Sequence, residues 1–439
     1  MTVDTPSSVS RPLKLKCKVQ NYEWGKQGSQ SEVGQLYSLQ SGLPLAEDEP
    51  FAELWMGTHD SGPSLVVFDQ DEDSTMLLKD WISQHPSSLG DKALQLWGAD
   101  LPFLFKVLSV GKALSIQAHP DKKLAKRLHQ LRPDIYRDAN HKPEMALAIS
   151  HFEALCGFMS PQEIKEVMIE YPELHPLLGD SEVKALLDMS WSKDLAKVAL
   201  RAAFTRLMSA DDNVVNDTVC KIVARLSKKD QMTAKEQLVI RLADQYPGDI
   251  GVLSSLFLNY ISLNPGEALY LDANEPHAYI AGECVECMAT SDNVIRAGLT
   301  PKYKDTQTLC SMLSYRQGQP NILSGVMINP QTRRYSPPFE EFELDVSILK
   351  HGESMVFPAL LGPSVVLVLK GKGMMHQRHG KECLAITLMK GDVYFIPAGV
   401  VLILHSSLSS KKLDHPLHLY RAGISSAFLL TNAATHDFH

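Results

Sequence analysis

A single block of helical periodicity, from about residue 161 to residue 245, interrupts a chain that otherwise reads as short strands and turns. The block opens on Ser160-Pro161-Gln162-Glu163, which has the form of a helix start with proline at the first helical position. Ile164, Val167 and Met168 then recur at helical spacing, and residues 194–208, 214–226 and 233–246 continue the pattern. Upstream, residues 13–120 are broken by frequent Gly, Pro and Ser. Within them, Leu15-Lys16-Cys17-Lys18-Val19 and Ser64-Leu65-Val66-Val67-Phe68 lack the helical period and read as strands. One shorter helix is expected over residues 121–132, where Leu124, Leu128 and Leu131 share a face and Asp121 stands near the start. At 439 residues the chain has room for two or three domains. The expected fold is mainly β with an all-helical insertion over residues 159–258.

Strand signals return after the insertion in a phrase that occurs twice. Gly266-Glu267-Ala268-Leu269-Tyr270-Leu271-Asp272-Ala273-Asn274-Glu275-Pro276-His277 runs turn, strand, turn, histidine, and Gly391-Asp392-Val393-Tyr394-Phe395-Ile396-Pro397-Ala398-Gly399 repeats its first part. Both resemble the second half of a cupin motif, in which a strand runs into a turn and then a metal-binding histidine. Aligning Gly266 with Gly391 sets His277 opposite Leu402, so the second copy lacks the ligand. The glycine-punctuated apolar run 365–373 supports the same architecture. Two cupin-like jelly-roll barrels are therefore expected beside the helical domain. A metal-bearing barrel would be built from residues 13–158 and 259–325, and a metal-free one from residues 326–439. Residues 1–12, rich in Ser, Thr and Pro, read as a disordered lead with no secretory signal.

Three segments carry candidate metal ligands. Ser115-Ile116-Gln117-Ala118-His119-Pro120-Asp121-Lys122 follows the apolar run 101–110 and sets Gln117 and His119 two residues apart. In a strand such residues face the same side, where an amide oxygen and an imidazole make half of a metal site. Glu144 lies in His141-Lys142-Pro143-Glu144-Met145-Ala146-Leu147-Ala148-Ile149, a mostly apolar segment in which an unpaired carboxylate is costly. That cost points to a metal or a cation nearby, with a structural salt bridge as the competing explanation. His277 completes the set, and mixed oxygen and nitrogen donors suit zinc with a position left open for water or substrate. For an anionic ligand, Lys142, Arg296 and Lys302 are the nearby cations. Ser115 shares a strand face with Gln117 and offers a hydroxyl.

The same residues carry a family resemblance. SIQAHPDK (residues 115–122), HKPEMALAI (141–149), AELWMGTH (52–59) and ECVECMATSDNVIRAGLTPKYKD (283–305) together resemble the type I mannose-6-phosphate isomerases. The resemblance implies a zinc-dependent aldose–ketose isomerase that interconverts mannose 6-phosphate and fructose 6-phosphate through a cis-enediolate, supplying GDP-mannose synthesis. It implies one Zn2+ per chain, held by Gln117, His119, Glu144 and His277. Phosphate contacts from Ser115, Lys142 and Lys302 and a transition-state role for Arg296 are also implied. Trp24 matches the family and would line the mouth of the sugar pocket; Trp55, in the AELWMGTH string, is assigned to core packing. Asp60 follows His59 where the family usually has proline, which affects a loop rather than the chemistry. An isomerase also needs a proton shuttle. Glu286 is the first candidate, with Lys142 and Tyr279 behind it, on the expectation that His277 ends one strand and Glu286 lies on the next.

Composition narrows the partners. A formal charge of -8 opposes broad binding to nucleic acid or anionic membrane, while a local cation cluster still admits a sugar phosphate. No apolar run approaches the roughly 20 residues of a membrane span. The seven cysteines are scattered and odd in number, unlike a disulfide framework, so reduced thiols are expected; with no signal or span, the cytoplasm is the default compartment, and a monomer is expected. Cys284-Val285-Glu286-Cys287 lacks the second close pair of a four-cysteine zinc site and reads as thiols on a strand. A metal-free binding protein would not need the Lys142, Arg296 and Lys302 cluster. A cupin iron dioxygenase would want another histidine where Gln117 or Glu144 stands.

Overall fold

The structure, a computed structural model, describes residues 11–68, 71–188, 192–379, 382–408 and 415–431. Residues 1–10 of the expected N-terminal lead lie outside the described residues. About a third of the chain is strand and about a third helix, so the fold is mixed rather than mainly β. The difference comes partly from short helices outside the insertion, such as Glu32–Ser41, Leu78–Gln84 and Asp91–Trp97. Helices this short are held by packing rather than by propensity. Val33, Leu36, Trp81 and Ile82 are all buried, in stretches whose Gly, Pro and Ser content hid any periodicity.

The two expected jelly-roll barrels are not confirmed: among the described residues no sheet closes into a barrel. The strands form open antiparallel sheets of nine, eleven, four and two strands. In the nine-stranded sheet Leu13–Lys16 pairs with Val393–Ile396 on one side and Leu65–Phe68 on the other, so N-terminal and C-terminal segments share one sheet. The expected strand through Cys17 is broken there into Leu13–Lys16 and Lys18–Gln20, and the two pieces join different sheets.

The two large sheets enclose one core. Phe103, Phe105, Val107, Met145, Leu147, Val285 and Cys287 from one sheet pack with Leu344, Val365, Leu367, Val393 and Phe395 from the other. Because side chains alternate along a strand, the residues between them face away from this core. Lys106 lies opposite Glu286 in register and also opposite Trp55, while Glu286 lies opposite Ala146. That outer face of the eleven-stranded sheet is where the polar groups gather.

The helical insertion forms as expected. Ser160 caps Pro161–Glu170 in a reciprocal capping box with Glu163, and Thr233 does the same with Glu236 for Ala234–Gln245. Lys193–Met208 and Asp212–Leu226 bury Leu200, Phe204, Leu207, Val219 and Ile222 in a separate core. Phe158, at the end of its strand, stacks on Tyr315 and meets Phe204 edge-on, which joins this core to the sheet. Among the described residues, no helix is long and apolar enough to cross a membrane.

The 13-residue strand His277–Ala289 organises the site. Its first half pairs with Phe152–Phe158 and meets Gln117, and its second half lies between Glu144–Ala148 and Phe103–Val110. The change of partner falls at Gly282, with φ of 110°, where a Cβ would sit 2.3 Å from the His151 carbonyl oxygen. Only glycine allows the strand to turn that corner. The repeated phrase is also visible in three dimensions. Gly266 and Gly391 have φ of 91° and 93°, the strands Ala268–Leu271 and Val393–Ile396 follow, and His277 and Leu402 each open the next strand. Leu402 is fully buried in an apolar cluster.

Candidate metal centre and active site

His119, Glu144 and His277 come together, each nearly fully buried, with one potential ligand atom apiece within 4.8 Å of the others. His119 Nε2 lies 3.4 Å from Glu144 Oε1, and His277 Nε2 lies 3.5 Å from Glu144 Oε2. Each histidine is oriented from behind. His119 Nδ1 meets the Asn293 carbonyl at 2.6 Å, and His277 Nδ1 meets the Glu275 carbonyl at 3.0 Å. A carbonyl only accepts, so each ring carries its proton on Nδ1 and turns the Nε2 lone pair inward. Burial brings the His119 imidazole down to about 4, despite the opposing pull of Glu144, so it is neutral at physiological pH. Burial resists the charge on Glu144, but the neighbouring Lys142 ammonium, foremost among the lowering groups, outweighs it and the carboxyl lies well below its usual range.

His119 Nε2, Glu144 Oε2 and His277 Nε2 are all buried without a hydrogen-bond partner. Buried polar atoms are nearly always satisfied, so three orphans converging on one point call for a ligand. Two imidazoles and a carboxylate fit a divalent metal such as zinc.

Gln117 sits between the halves of this arrangement. It is the register partner of His277 on one side and of Arg296 on the other, and it accepts from Ser115 Oγ at 3.3 Å. Lys142 Nζ reaches Glu144 Oε1 at 3.3 Å. A cleft of about 730 Å³ opens beside the centre, lined by Trp24, Ser115, Gln117, Lys142, Glu144, Tyr279, Glu286, Arg296 and Lys302 among others. Every residue the sequence put forward as a ligand, substrate contact or proton carrier is thus in the cleft or, for His119 and His277, in the metal cluster at its edge. Arg296 and Lys302 have no carboxylate within 4.0 Å among the described residues; Arg296 is half-buried, and that burial lowers its pKa. Unpaired cations at a cleft wall favour an anionic ligand.

Two expectations change, and the reading of Cys284 and Cys287 as free thiols on a strand holds. Glu286 does not lie on the strand after His277; both are on His277–Ala289, and the bend at Gly282 brings their partners to one cleft. Trp55 does more than pack. It lines the cleft, donates from Nε1 to Glu53 at 2.5 Å, and has Lys106 5.0 Å over its ring. Cys284 and Cys287 are fully buried free thiols, pushed up by burial and so unreactive.

The residue that sequence reasoning missed is Lys106. It bonds Glu286 at 2.9 Å and Glu53 at 3.4 Å, and Tyr279 Oη donates to Glu286 at 2.8 Å. Burial alone would lower the Lys106 pKa, but Glu286, Glu53 and Glu144 together raise it, so the ammonium stays charged. Burial raises Glu286, with Lys106 opposing, and burial and Glu286 push the Tyr279 phenol far up. The signal was present: a lone lysine within the strand FLFKVLSV, every residue of which is buried.

Behind the centre, Glu341 reaches in from the loop before Glu343–Leu349. It is 2 % exposed and pairs with His141 Nε2 at 2.7 Å and Lys122 Nζ at 3.1 Å. Burial opposes its charge, but His141 and Lys122 outweigh it and bring its carboxyl from 4.5 down to about 2. Because the folded value is the lower one, this cluster stabilises the fold above about pH 4.5 and loses that contribution as pH falls toward about 2. In Glu341→Gln, the denaturant midpoint should therefore fall less steeply with pH across that window than in the parent. Parallel curves would contradict the expected linkage.

The comparisons with known proteins agree on one family. Residues 13–160 match the profile "Phosphomannose isomerase type I, catalytic domain", and residues 177–258 match "Phosphomannose isomerase type I, helical insertion domain". The chain is 52% identical over 423 residues to mannose-6-phosphate isomerase 1 of Arabidopsis thaliana, covering 95% of each. It is 41% identical over 400 residues to mannose-6-phosphate isomerase of Homo sapiens, covering 88% of this chain and 94% of the human one. A crystal structure of a phosphomannose isomerase mutant from Salmonella typhimurium superimposes with a TM-score of 0.79 at 27% identity, over 94% of this chain and 99% of that one. A mannose 6-phosphate isomerase crystallised with zinc and yttrium matches with a TM-score of 0.78 at 27% identity, over the same shares. With two family profiles spanning over half of its residues and relatives covering nearly all of it, this chain belongs to the type I phosphomannose isomerases.

Proposed function

We propose that the protein is a zinc-dependent isomerase interconverting mannose 6-phosphate and fructose 6-phosphate through a cis-enediolate. The observation that carries this reading is the trio of orphaned buried ligand atoms on His119, Glu144 and His277, opening onto a cleft that Arg296 and Lys302 line with no carboxylate partner among the described residues. One Zn2+ per chain is assigned to these three residues and Gln117. When bound, the metal supplies Lewis-acid polarisation of the sugar oxygens at C1 and C2.

The chain's own residues do the rest. Ser115, Lys142 and Lys302 bind the phosphate; Trp24 and Tyr22, stacked with centroids 5.8 Å apart, cover the sugar at the cleft mouth. Arg296 sets fixed positive charge where the enediolate oxygens become negative. Glu286, raised by burial and anchored by Lys106 and Tyr279, carries the proton between C1 and C2. The phenol of Tyr279 stays protonated and so holds Glu286 as a donor. We further propose a cytoplasmic monomer acting on this small anionic sugar alone, with no nucleic-acid or membrane partner, whose product enters GDP-mannose synthesis.

The decisive test is conversion of mannose 6-phosphate to fructose 6-phosphate by purified protein, before and after a chelator and after zinc is restored. Activity should disappear with the metal and return with zinc. Full turnover in chelated protein, or no turnover in protein with one zinc per chain, would reject the reading.

A further inference from the structure

We infer that Glu341 is a positioning residue for the metal centre, through which the C-terminal part of the chain holds two ligand-bearing segments in place. Its carboxylate grips Lys122 and His141 at once. Lys122 lies three residues after His119, and His141 lies three residues before Glu144. One buried group from residue 341 thus ties together the stretches that deliver two of the three clustered ligands.

The carboxylate is itself well fixed. Its loop is pinned by Phe342, fully buried in the core between the large sheets, and by Phe339, whose ring lies 6.0 Å edge-on from Tyr270 of the Ala268–Leu271 strand. Ser425 adds a backbone bond to the Glu340 carbonyl at 3.3 Å. On the other side, the segment held by His141 is already tied to His119. Asn293 donates its side-chain amide to the carbonyls of Asp138 and Asn140 at 2.7 and 2.8 Å, and its own carbonyl receives His119 Nδ1. His141 and Lys122 are therefore points at which the ligand-bearing segments meet a group from beyond residue 326. Glu341 does not line the cleft, so its influence must pass through the loops rather than through the sugar.

This inference rests on the metal reading above, and its test keeps the two apart. Zinc-loaded parent, Glu341→Gln, His141→Gln and the double variant are mixed with a chromogenic zinc chelator, and the release rate is followed alongside kcat and KM. Groups behind metal ligands typically change affinity by about 10–100-fold, so each single variant should release zinc about tenfold faster. Their kcat should fall while KM for mannose 6-phosphate stays within about twofold, since no sugar contact is touched. Because His141 acts only through the carboxylate, whereas the carboxylate also holds Lys122, the double variant should release zinc no faster than Glu341→Gln alone, whereas independent effects would multiply. Release within about twofold of the parent, or multiplying effects, would overturn the inference. Should Glu341→Gln fail to fold, His141→Gln alone decides: parental zinc release there rejects the role, and faster release with unchanged KM supports it. A parent that takes up no zinc at all would instead defeat the metal reading itself.

Discussion

Exchange of His277 for alanine is expected to empty the metal centre and lower kcat/KM by about a thousandfold or more. The imidazole supplies one of three converging ligand atoms, and its Nδ1 is already committed to the Glu275 carbonyl. No other side chain on its strand can take its place, because the next residue on the same face is Tyr279, whose hydroxyl is engaged by Glu286. The backbone should tolerate the change: His277 is paired in register with Cys156 and Gln117 on its two sides, and those bonds do not need the ring. Elemental analysis should find the variant without zinc while circular dichroism matches the parent. Full metal content together with full activity would remove His277 from the ligand set.

Arg296→Ala is expected to lower kcat by about a hundredfold while zinc is retained, the usual scale for losing one preorganised group at a developing oxyanion. Arg296 faces the cleft across the strand from Gln117, has no carboxylate partner among the described residues, and is held in place by its strand rather than by an ion pair. Its charge is thus uncommitted until an anion arrives. Arg296→Lys should recover only part of the rate, because an ammonium lacks the planar fork of the guanidinium. Steady-state kinetics with metal analysis separates this outcome from that of His277. If Arg296→Ala raised only KM, the residue would be a ground-state phosphate contact and the transition-state role would fail.

Much of the site was legible because its chemistry is carried by short strings. Gln117 and His119, Glu144 among alanines and leucines, and Arg296 between apolar residues each stood out locally, and each lines or edges the same cleft. Lys106 was passed over because a lysine inside an apolar run has no periodic signature; its meaning depends on Glu53 and Glu286, far away in sequence. Asn293 and Glu275 were unreadable for a different reason. They act on the histidines through backbone carbonyls, which every residue possesses, so no side-chain identity could announce them. The helical insertion was readable because capping and a 3.6-residue period are local signals.

The helical insertion, the repeated glycine phrase and the candidate donor residues were read from the sequence alone. They depend on dihedral preferences, periodicity and side-chain chemistry, which act over a few residues. How the sheets join was decided only in three dimensions. Strand pairing is non-local and does not discriminate among apolar runs of similar length, so the placement of Leu13–Lys16 beside Val393–Ile396 could not be read in advance. The same holds for the bend at Gly282 that gathers the donors, and for the reach of Glu341 into loops 200 and 219 residues upstream from it by close packing of the cores.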